Sequence, residues 1–169
     1  MHLREATPSD YDAVWDIFQA VIRTGDTYVY PPDTPRADLQ RYWFADYMHT
    51  FVVEAEGEIL GTYILKANQP GLGDHVADCS YMVGERARGR GVGKLMCEHS
   101  IEFAHRSGYR AIQFNIVVST NVAAVKLWQR FGFRIIGTTP QGFRHAKRGL
   151  VDTYIMYREL YPGRWRGNA

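Results

Sequence analysis

The residues best suited to do chemistry lie in a glycine-rich stretch, residues 86–94, which reads Arg-Ala-Arg-Gly-Arg-Gly-Val-Gly-Lys. A strand-like segment precedes it and a helical pattern follows it. Glycine lets the backbone approach a ligand closely, and the free N–H groups at a helix start attract anions. The stretch therefore predicts a phosphate-binding loop. Its members are Arg88, Gly89, Arg90, Gly91, Val92, Gly93 and Lys94.

The spacing of the glycines separates the known kinds of phosphate loop. A P-loop would need glycine at Arg88 and a hydroxyl residue at Leu95. A dinucleotide fingerprint would need glycine at Lys94. The pattern R-x-x-G-x-G does fit, with Arg88, Gly91 and Gly93. This pattern resembles the acetyl-CoA pyrophosphate loop of the GNAT family of N-acetyltransferases.

A second motif lies at residues 121–133, which read Asn-Val-Ala-Ala-Val-Lys-Leu-Trp-Gln-Arg-Phe-Gly-Phe. It resembles the N-x-x-A-x-x-L-Y-x-x-x-G-F block of the same family. Its small and apolar residues would be core residues in any fold, so Asn121 and Trp128 carry the functional weight. Two motifs in register make nearly the whole chain, residues 1–160, similar to this family.

Hydrophobic periodicity predicts alternating strands and helices. Strands are predicted at residues 2–6, 50–55, 58–66, 75–83, 110–118, 133–138 and 150–157. Helices are predicted at residues 8–23, 36–48, 91–105 and 121–131. We expect one α/β domain over residues 1–160 and a polar C-terminal tail over residues 161–169. The resemblance implies a GNAT fold, a mixed and mostly antiparallel splayed sheet flanked by helices.

The resemblance also implies that acetyl-CoA, as cosubstrate, lies in a wedge where the strands of Met82 and Asn115 diverge. Its pantetheine arm would pair with backbone groups of Met82 and Val83, and Asn121 would hydrogen-bond that arm. The pyrophosphate would meet the amides of residues 88–94. An extended amide chain can satisfy a free strand edge, and a strand N–H can stabilise an oxyanion. The amine would then attack directly, without a covalent enzyme intermediate.

Trp128 departs from the family pattern. The family usually has tyrosine there, whose hydroxyl can protonate the leaving thiolate. An indole N–H donates hydrogen bonds but is not a practical acid. We therefore expect Trp128 to pack against the cofactor, and no residue is assigned as the acid that protonates the thiolate.

Shorter matches lie at residues 75–78, 113–115, 119–121 and 127–128, which read His-Val-Ala-Asp, Gln-Phe-Asn, Ser-Thr-Asn and Leu-Trp. They resemble a narrower subgroup, the yeast proline-analogue acetyltransferases, which acetylate cyclic secondary amino acids such as azetidine-2-carboxylate. The subgroup's critical strand asparagine corresponds to Asp78, and aspartate can accept a proton as asparagine cannot. Asp78 is therefore the candidate base. The structural alternative is that it ends a strand, caps an amide or pairs with an arginine. Asn115 agrees with the subgroup and is the second candidate catalytic residue.

Composition and charge limit the class of protein. Hydrophobic residues make up 46% and charged residues 22% of the 169 positions, as in ordinary globular domains. The net charge of +2 is too small to indicate nucleic-acid binding. No apolar run reaches the roughly 18 residues of a membrane span, and the N-terminus is charged where a signal peptide is apolar. We expect a cytoplasmic protein with neither a membrane nor a nucleic-acid partner.

Cysteine and histidine usage gives no reason to expect a metal. Cys79 and Cys97 are the only cysteines and lie in a strand and a helix pattern, where small buried side chains are expected. His99 has no partner at metal-ligand spacing.

The expected acceptor is a small-molecule amine, an amino acid or an analogue. The loop at residues 24–35 carries Tyr28 and Tyr30 as candidate substrate-binding residues and favours a closed pocket. Two alternatives stay open. A protein N-terminal or lysine acetyltransferase would require an open groove, and a non-catalytic acyl-CoA sensor is compatible with the missing tyrosine. A homodimer also stays open, as does the chirality of the acceptor.

Overall fold

Seven strands form one sheet in the computed structural model, which describes residues 1–161. In chain order the strands are β1 (His2–Glu5), β2 (His49–Ala55), β3 (Glu58–Ala67), β4 (Val76–Val83), β5 (Ala111–Val118), β6 (Arg134–His145) and β7 (Gly149–Glu159). Their order across the sheet is β1-β2-β3-β4-β5-β7-β6. Within residues 1–161 every neighbouring pair is antiparallel except β4 and β5. The predicted mixed, mostly antiparallel sheet is confirmed.

Four α-helices of the described residues 1–161 cover the two faces of the sheet. On one face, α1 (Tyr11–Ile22) and α2 (Leu39–Trp43) form a core with Met82. On the other, α3 (Val92–Arg106) and α4 (Val122–Arg130) form a core with Cys79. Because successive side chains of a strand point to opposite faces, β4 contributes to both cores. The prediction that both cysteines are buried and unpaired is confirmed.

The sheet splays between β4 and β5. The two strands pair only at Val76–Ala111 and Ala77–Ile112, at the start of each strand. From Asp78 onward they separate, and β5 itself is irregular between Phe114 and Val117 where it pairs with β7. The resulting wedge leaves one edge of β4 without a partner strand.

Two predicted elements differ most in length from those observed. The helix predicted at residues 36–48 is a 3-10 turn, Arg36–Asp38, followed by α2, which ends at Trp43. The strand predicted at residues 133–138 continues to His145 as β6. An irregularity between Thr139 and Phe143 absorbs the Pro-Gln-Gly sequence that reads as a turn. An edge strand tolerates proline and a bulge at such a point.

The tail predicted for residues 161–169 begins with a packed residue. The ring of Tyr161 stacks on His105 with 4.4 Å between centroids, and its hydroxyl donates to the His105 carbonyl (3.1 Å). The rest of that prediction, residues 162–169, lies outside the described residues. Within residues 1–161, the helices lack the length and apolar character that crossing a membrane requires.

A buried carboxylate ties the start of the chain to the sheet. Asp10 Oδ1 and Oδ2 accept from the Arg4 guanidinium at 2.8 and 2.7 Å, and Oδ2 also accepts from the Thr7 N–H (2.7 Å). The hydrogen bonds from Arg4, with a smaller contribution from Thr7, hold the pKa of Asp10 well below its usual range. The ionised carboxylate therefore stabilises the fold.

We expect Asp10→Asn to lower the free energy of unfolding by about 2 kcal/mol at pH 7, because it removes the charged partner of Arg4. Because the pKa is depressed, this stabilisation is fully present above the unfolded carboxyl pKa of about 3.9 and is lost progressively as the pH falls from there through the lower pKa of the folded state. Urea unfolding at pH 7 and pH 3 checks this. The control Asp12→Asn changes an exposed surface pair with Arg36 and should stay within about 0.5 kcal/mol of the parent. Equal effects of the two variants would contradict the prediction.

Candidate active site

The hydroxyl of Tyr28 occupies the edge that β4 presents to the wedge. It donates to the Tyr81 carbonyl (2.7 Å) and accepts from the Tyr81 N–H (2.9 Å). Just past the end of β4, the Gly84 N–H donates to the Leu60 carbonyl of β3 (2.9 Å). The backbone N–H and C=O groups of successive strand residues point in opposite directions. The backbone groups of odd-numbered residues of β4 therefore point into the wedge here, and those of even-numbered residues point towards β3.

This alternation corrects the prediction for Met82. Met82 is opposite Thr62 of β3, and its side chain is 1% exposed in the core under α1. Its backbone groups point away from the wedge, so they are not free to pair with a ligand there. Tyr81 and Val83 present their backbone groups instead. The prediction was off by one residue, which in a strand reverses the direction of every group.

The glycine-rich loop leads from β4 into α3. Gly89 and Gly91 have φ of 76° and 84°, in the left-handed region that favours glycine. A Cβ added at either glycine would meet no atom within 4 Å, so open space surrounds both. The hydrogen bond from the Leu95 N–H to the Gly91 carbonyl (3.0 Å) closes the first turn of α3. The amides of residues 92–94 precede it and are available to an anion.

The amides of two predicted loop residues are already engaged. The Arg88 N–H donates to the Glu85 carbonyl (3.3 Å) and caps the 3-10 turn of residues 85–87, and the Arg90 N–H donates to the Ala87 carbonyl (3.2 Å) in the turn that follows. For these two residues the predicted amide contact is corrected. Their exposed side chains still bring positive charge to the loop, as does Lys94.

Two adjoining cavities, of about 110 and 190 Å³, open in the wedge. Asn121 and Trp128 line the first, which we call the Trp128 cavity. Asp78, Asn115 and Tyr30 line the second, which we call the Asp78 cavity. Six residues line both cavities: Thr27, Tyr28, Cys79, Ser80, Phe114 and Ile116. The predicted catalytic and substrate-binding residues are thus brought together.

Asp78 forms an ion pair at the wall of its cavity. Lys66 Nζ lies 3.3 Å from Asp78 Oδ2, because the register of β3 and β4 places the two residues opposite each other. Burial raises the pKa of the Asp78 carboxyl, and the charge of Lys66 partly offsets that rise. A carboxylate with a raised pKa in a cavity is suited to accept a proton.

The loop between α1 and α2 packs through aromatic rings. Tyr28 and Tyr30 stack with centroids 6.0 Å apart and planes 9° from parallel. Tyr30 also contacts Phe18 of α1 (5.2 Å) and Tyr42 of α2 (4.5 Å). These contacts hold the two tyrosines against the Asp78 cavity.

Asn121 caps α4 and Trp128 lies within it, and both side chains make structural contacts. Asn121 is the N-cap, and its Oδ1 accepts from the Ala124 N–H (3.3 Å), which leaves its Nδ2 donor for a ligand. Trp128 is 9% exposed, and its ring lies 4.8 Å from that of Tyr81 and 5.1 Å from that of Phe114. These contacts show that the Trp128 indole packs against two aromatic rings of the sheet.

Asn115 lies on the exposed rim of the Asp78 cavity. Its Nδ2 donates to Asn68 Oδ1 (2.6 Å), and its Oδ1 accepts from Gln113 Nε2 (2.9 Å). This polar chain connects β5 to the loop that follows β3. The arrangement suits Asn115 for orienting a polar ligand and gives it no acidic or basic function.

Sequence reasoning missed Lys66 and the backbone of Tyr81. Neither residue lies in a sequence motif. Lys66 reaches the site because β3 pairs with β4, and the backbone of Tyr81 is contacted there by Tyr28. The only sequence signal for Lys66 was its position near the end of a strand that forms a hairpin with β2 and can also pair with β4.

Comparisons with known proteins agree with this geometry. The structure resembles that of a GCN5-related N-acetyltransferase from Kribbella flavida, with a TM-score of 0.89 and 42% identity, covering 94% of this chain and 96% of that one. N-acetyltransferase aca1 from Schizosaccharomyces pombe is 30% identical over 114 residues, 67% of this chain and 54% of the relative. L-amino acid N-acetyltransferase AaaT from Escherichia coli is 26% identical over 159 residues, 92% of this chain and 96% of the relative.

The chain thus spans about half the length of its Schizosaccharomyces pombe relative. The family model described as acetyltransferase (GNAT) family matches residues 11–133, which is more than half of the chain. The two motifs that indicated this family lie in the structural context that the family resemblance requires, one at the start of α3 and one in α4. The chain belongs to the GNAT family of acetyltransferases.

Proposed function

We propose that this protein is an N-acetyltransferase that moves the acetyl group of acetyl-CoA directly to the amine of a small amino acid or amino-acid analogue. One observation carries the proposal: the edge of β4 that has no partner strand beyond Ala77 leads from the glycine-rich loop to the Asp78 cavity, and these three features form the proposed path. The start of the path suits an anion, its middle an extended amide chain, and its end an amine.

The donor fits the first two parts of the path. An acetyltransferase from Salmonella typhimurium with the same fold (TM-score 0.86, 20% identity) has been solved with its cofactor acetyl-CoA. In this chain the amides at the start of α3, with Arg88 and Arg90, hold the pyrophosphate. The backbone groups of Val83 pair with the pantetheine arm, and Asn121 Nδ2 donates to it.

The reaction uses groups at the end of the path. The Tyr81 N–H donates to the thioester carbonyl and stabilises the negative charge that develops on its oxygen. Asp78, through a water, removes the proton that a protonated amine must lose before it attacks. Asn115 orients the acceptor. The N–C bond forms as the C–S bond breaks, so no residue of the enzyme becomes acetylated.

Size and charge favour a small acceptor. The Asp78 cavity measures about 190 Å³, and the Tyr28–Tyr30 stack packs against it. The carboxylate of Asp78 and the ammonium of Lys66, 3.3 Å apart, offer one charge of each sign, as an amino acid does. The Escherichia coli relative is an L-amino acid N-acetyltransferase, which supports the same class.

A thiol-release assay with purified protein tests the proposal. Acetyl-CoA is supplied with L-amino acids, their D enantiomers, cyclic secondary amino acids such as azetidine-2-carboxylate, simple amines and short peptides. We expect release of coenzyme A with at least one free amino acid, together with the N-acetylated product by mass spectrometry. Turnover with a cyclic secondary amino acid would place the protein in the narrower subgroup.

Two other outcomes of this assay would each indicate a different function. Turnover with peptides alone would indicate a protein N-terminal or lysine acetyltransferase. Tight binding of acetyl-CoA without turnover of any acceptor would indicate an acyl-CoA sensor.

Trp128→Phe is expected to keep the turnover number within about tenfold of the parent at neutral pH. The substitution keeps an aromatic ring against Tyr81 and Phe114, and loss of a true general acid would cost about 10²- to 10⁴-fold. Steady-state kinetics measure the turnover number, and a fluorescence titration measures the affinity for acetyl-CoA. A loss of several orders of magnitude at intact affinity would show that the indole takes part in the chemistry.

A further inference from the structure

The hydroxyl of Tyr28 occupies a position for which core packing gives no reason. Its ring belongs to the aromatic stack on the α1–α2 loop, and its oxygen reaches across to bond both backbone groups of Tyr81. Those groups lie on the free edge of β4, where the proposed path for the pantetheine arm ends. Tyr28 lines both the Trp128 cavity and the Asp78 cavity.

Breaking a thioester leaves an electron pair on sulfur, and a hydrogen-bond donor beside that sulfur would stabilise it. Several residues that line the Trp128 cavity carry hydrogen-bond donors. The Tyr81 hydroxyl bonds Ser100 Oγ (2.7 Å) on the α3 side of the sheet. Cys79 carries only a weak S–H donor, and burial raises its pKa. Thr27, Ser80, Asn121 and Trp128 also carry donors, but the Tyr28 hydroxyl is the side-chain donor of this cavity that hydrogen-bonds the backbone of Tyr81.

The hydrogen bonds of Tyr28 indicate where its phenol would lie relative to a bound thioester. The Tyr28 oxygen accepts the hydrogen bond that the Tyr81 N–H would give to a thioester carbonyl. When a carbonyl oxygen takes over that N–H, the hydroxyl is displaced from it and becomes a neighbour of that oxygen. Sulfur and carbonyl oxygen are bonded to the same carbon, so a hydroxyl next to that oxygen is within reach of the sulfur.

We propose that Tyr28 is a catalytic residue whose hydroxyl donates a hydrogen bond to the departing sulfur of the cofactor. This inference rests on the proposed function. The amine nitrogen forms its bond to the carbonyl carbon, and the electron pair of the C–S bond moves to sulfur, where the Tyr28 O–H stabilises it. The proton that the thiol finally carries comes from the amine, through Asp78 and solvent. Burial raises the pKa of the Tyr28 hydroxyl, so it stays a donor throughout the working pH range.

The direct test titrates the thiol of bound coenzyme A and needs no acceptor. The ultraviolet absorbance of the thiolate is followed against pH with coenzyme A bound to the parent and to Tyr28→Phe. A hydrogen bond to a charged sulfur is expected to favour the thiolate by roughly 10- to 100-fold. The thiol pKa should therefore be higher in Tyr28→Phe than in the parent by about one to two pH units. Equal thiol pKa values in the two proteins would overturn the inference.

Kinetics supply the second test. Tyr28→Phe should lower kcat by about 10- to 100-fold while KM for acetyl-CoA changes little. Trp128→Tyr in that background restores a phenol to the neighbouring wall of the same cavity, and kcat should recover in part. The control Tyr11→Phe removes a hydroxyl that donates to the Arg36 carbonyl (2.9 Å) outside the wedge, and its kcat should match the parent.

The outcomes separate this inference from the proposed function. Failure of coenzyme A to bind the parent protein would overturn the proposed function itself. If coenzyme A binds and its thiol pKa is the same with and without the Tyr28 hydroxyl, the acetyltransferase proposal stands and Tyr28 has no catalytic role in it. A Tyr28→Phe variant with unchanged kcat and tighter acetyl-CoA binding would show that the hydroxyl only fills the free edge.

Discussion

Gly91→Asp is expected to abolish binding of acetyl-CoA. Gly91 is the residue before α3, has φ of 84° and is surrounded by open space, which is where the proposed pyrophosphate site lies. A carboxylate there would face the phosphates across about 4 Å. At an effective dielectric constant near 20, that repulsion is worth about 4 kcal/mol per pair of charges, or roughly a thousandfold in Kd. Isothermal titration with acetyl-CoA at low salt measures the loss.

Two control variants separate charge from strain. Gly91→Asn has the shape of the aspartate without its charge, so it should bind acetyl-CoA more weakly than the parent and more tightly than Gly91→Asp. Gly108→Asp introduces the same residue at φ of 86°, also with open space around it, in the turn after α3. It should bind acetyl-CoA as the parent does. If Gly91→Asp binds as well as the parent, the pyrophosphate site lies elsewhere.

Asp78→Asn is expected to lower kcat/KM by about 10²- to 10⁴-fold, the usual contribution of a general base. The substitution keeps the shape of the side chain and removes the proton acceptor. In the parent, the rate should fall as the pH drops through the Asp78 pKa, because a protonated carboxyl cannot accept a proton. Burial raises that pKa, so the acid limb should lie above that of an exposed carboxyl. The limb should be absent from the residual activity of the variant.

Lys66→Gln is the matched test, because Asp78→Asn also breaks the ion pair with Lys66. If the pair is only structural, either substitution should reduce activity by a similar factor. If Asp78 is the base, Lys66→Gln should retain most of kcat at high pH. Its acid limb should shift to higher pH, since loss of the lysine charge raises the Asp78 pKa further. An Asp78→Asn variant that matches the parent at every pH would mean that Asp78 orients substrate and the base is another group.

The sequence by itself determined the family, the order of the elements and the glycine-rich loop. These features depend on residues close together in the chain. A left-handed glycine before α3 and an asparagine cap before α4 act within a few residues, so their spacing can be read directly. Alternating apolar residues likewise define strands without knowledge of their neighbours.

Tertiary structure decided which backbone and side-chain groups meet in the wedge. Whether Met82 or Tyr81 faces it depends on the phase of β4 against β3, and a shift of one residue reverses the answer. Lys66 reaches Asp78 because of the same register. The Tyr28 hydroxyl meets Tyr81, 53 residues further along, only because the α1–α2 loop folds over the splayed edge. Such contacts join distant segments, and the periodicity of neither segment carries information about the other.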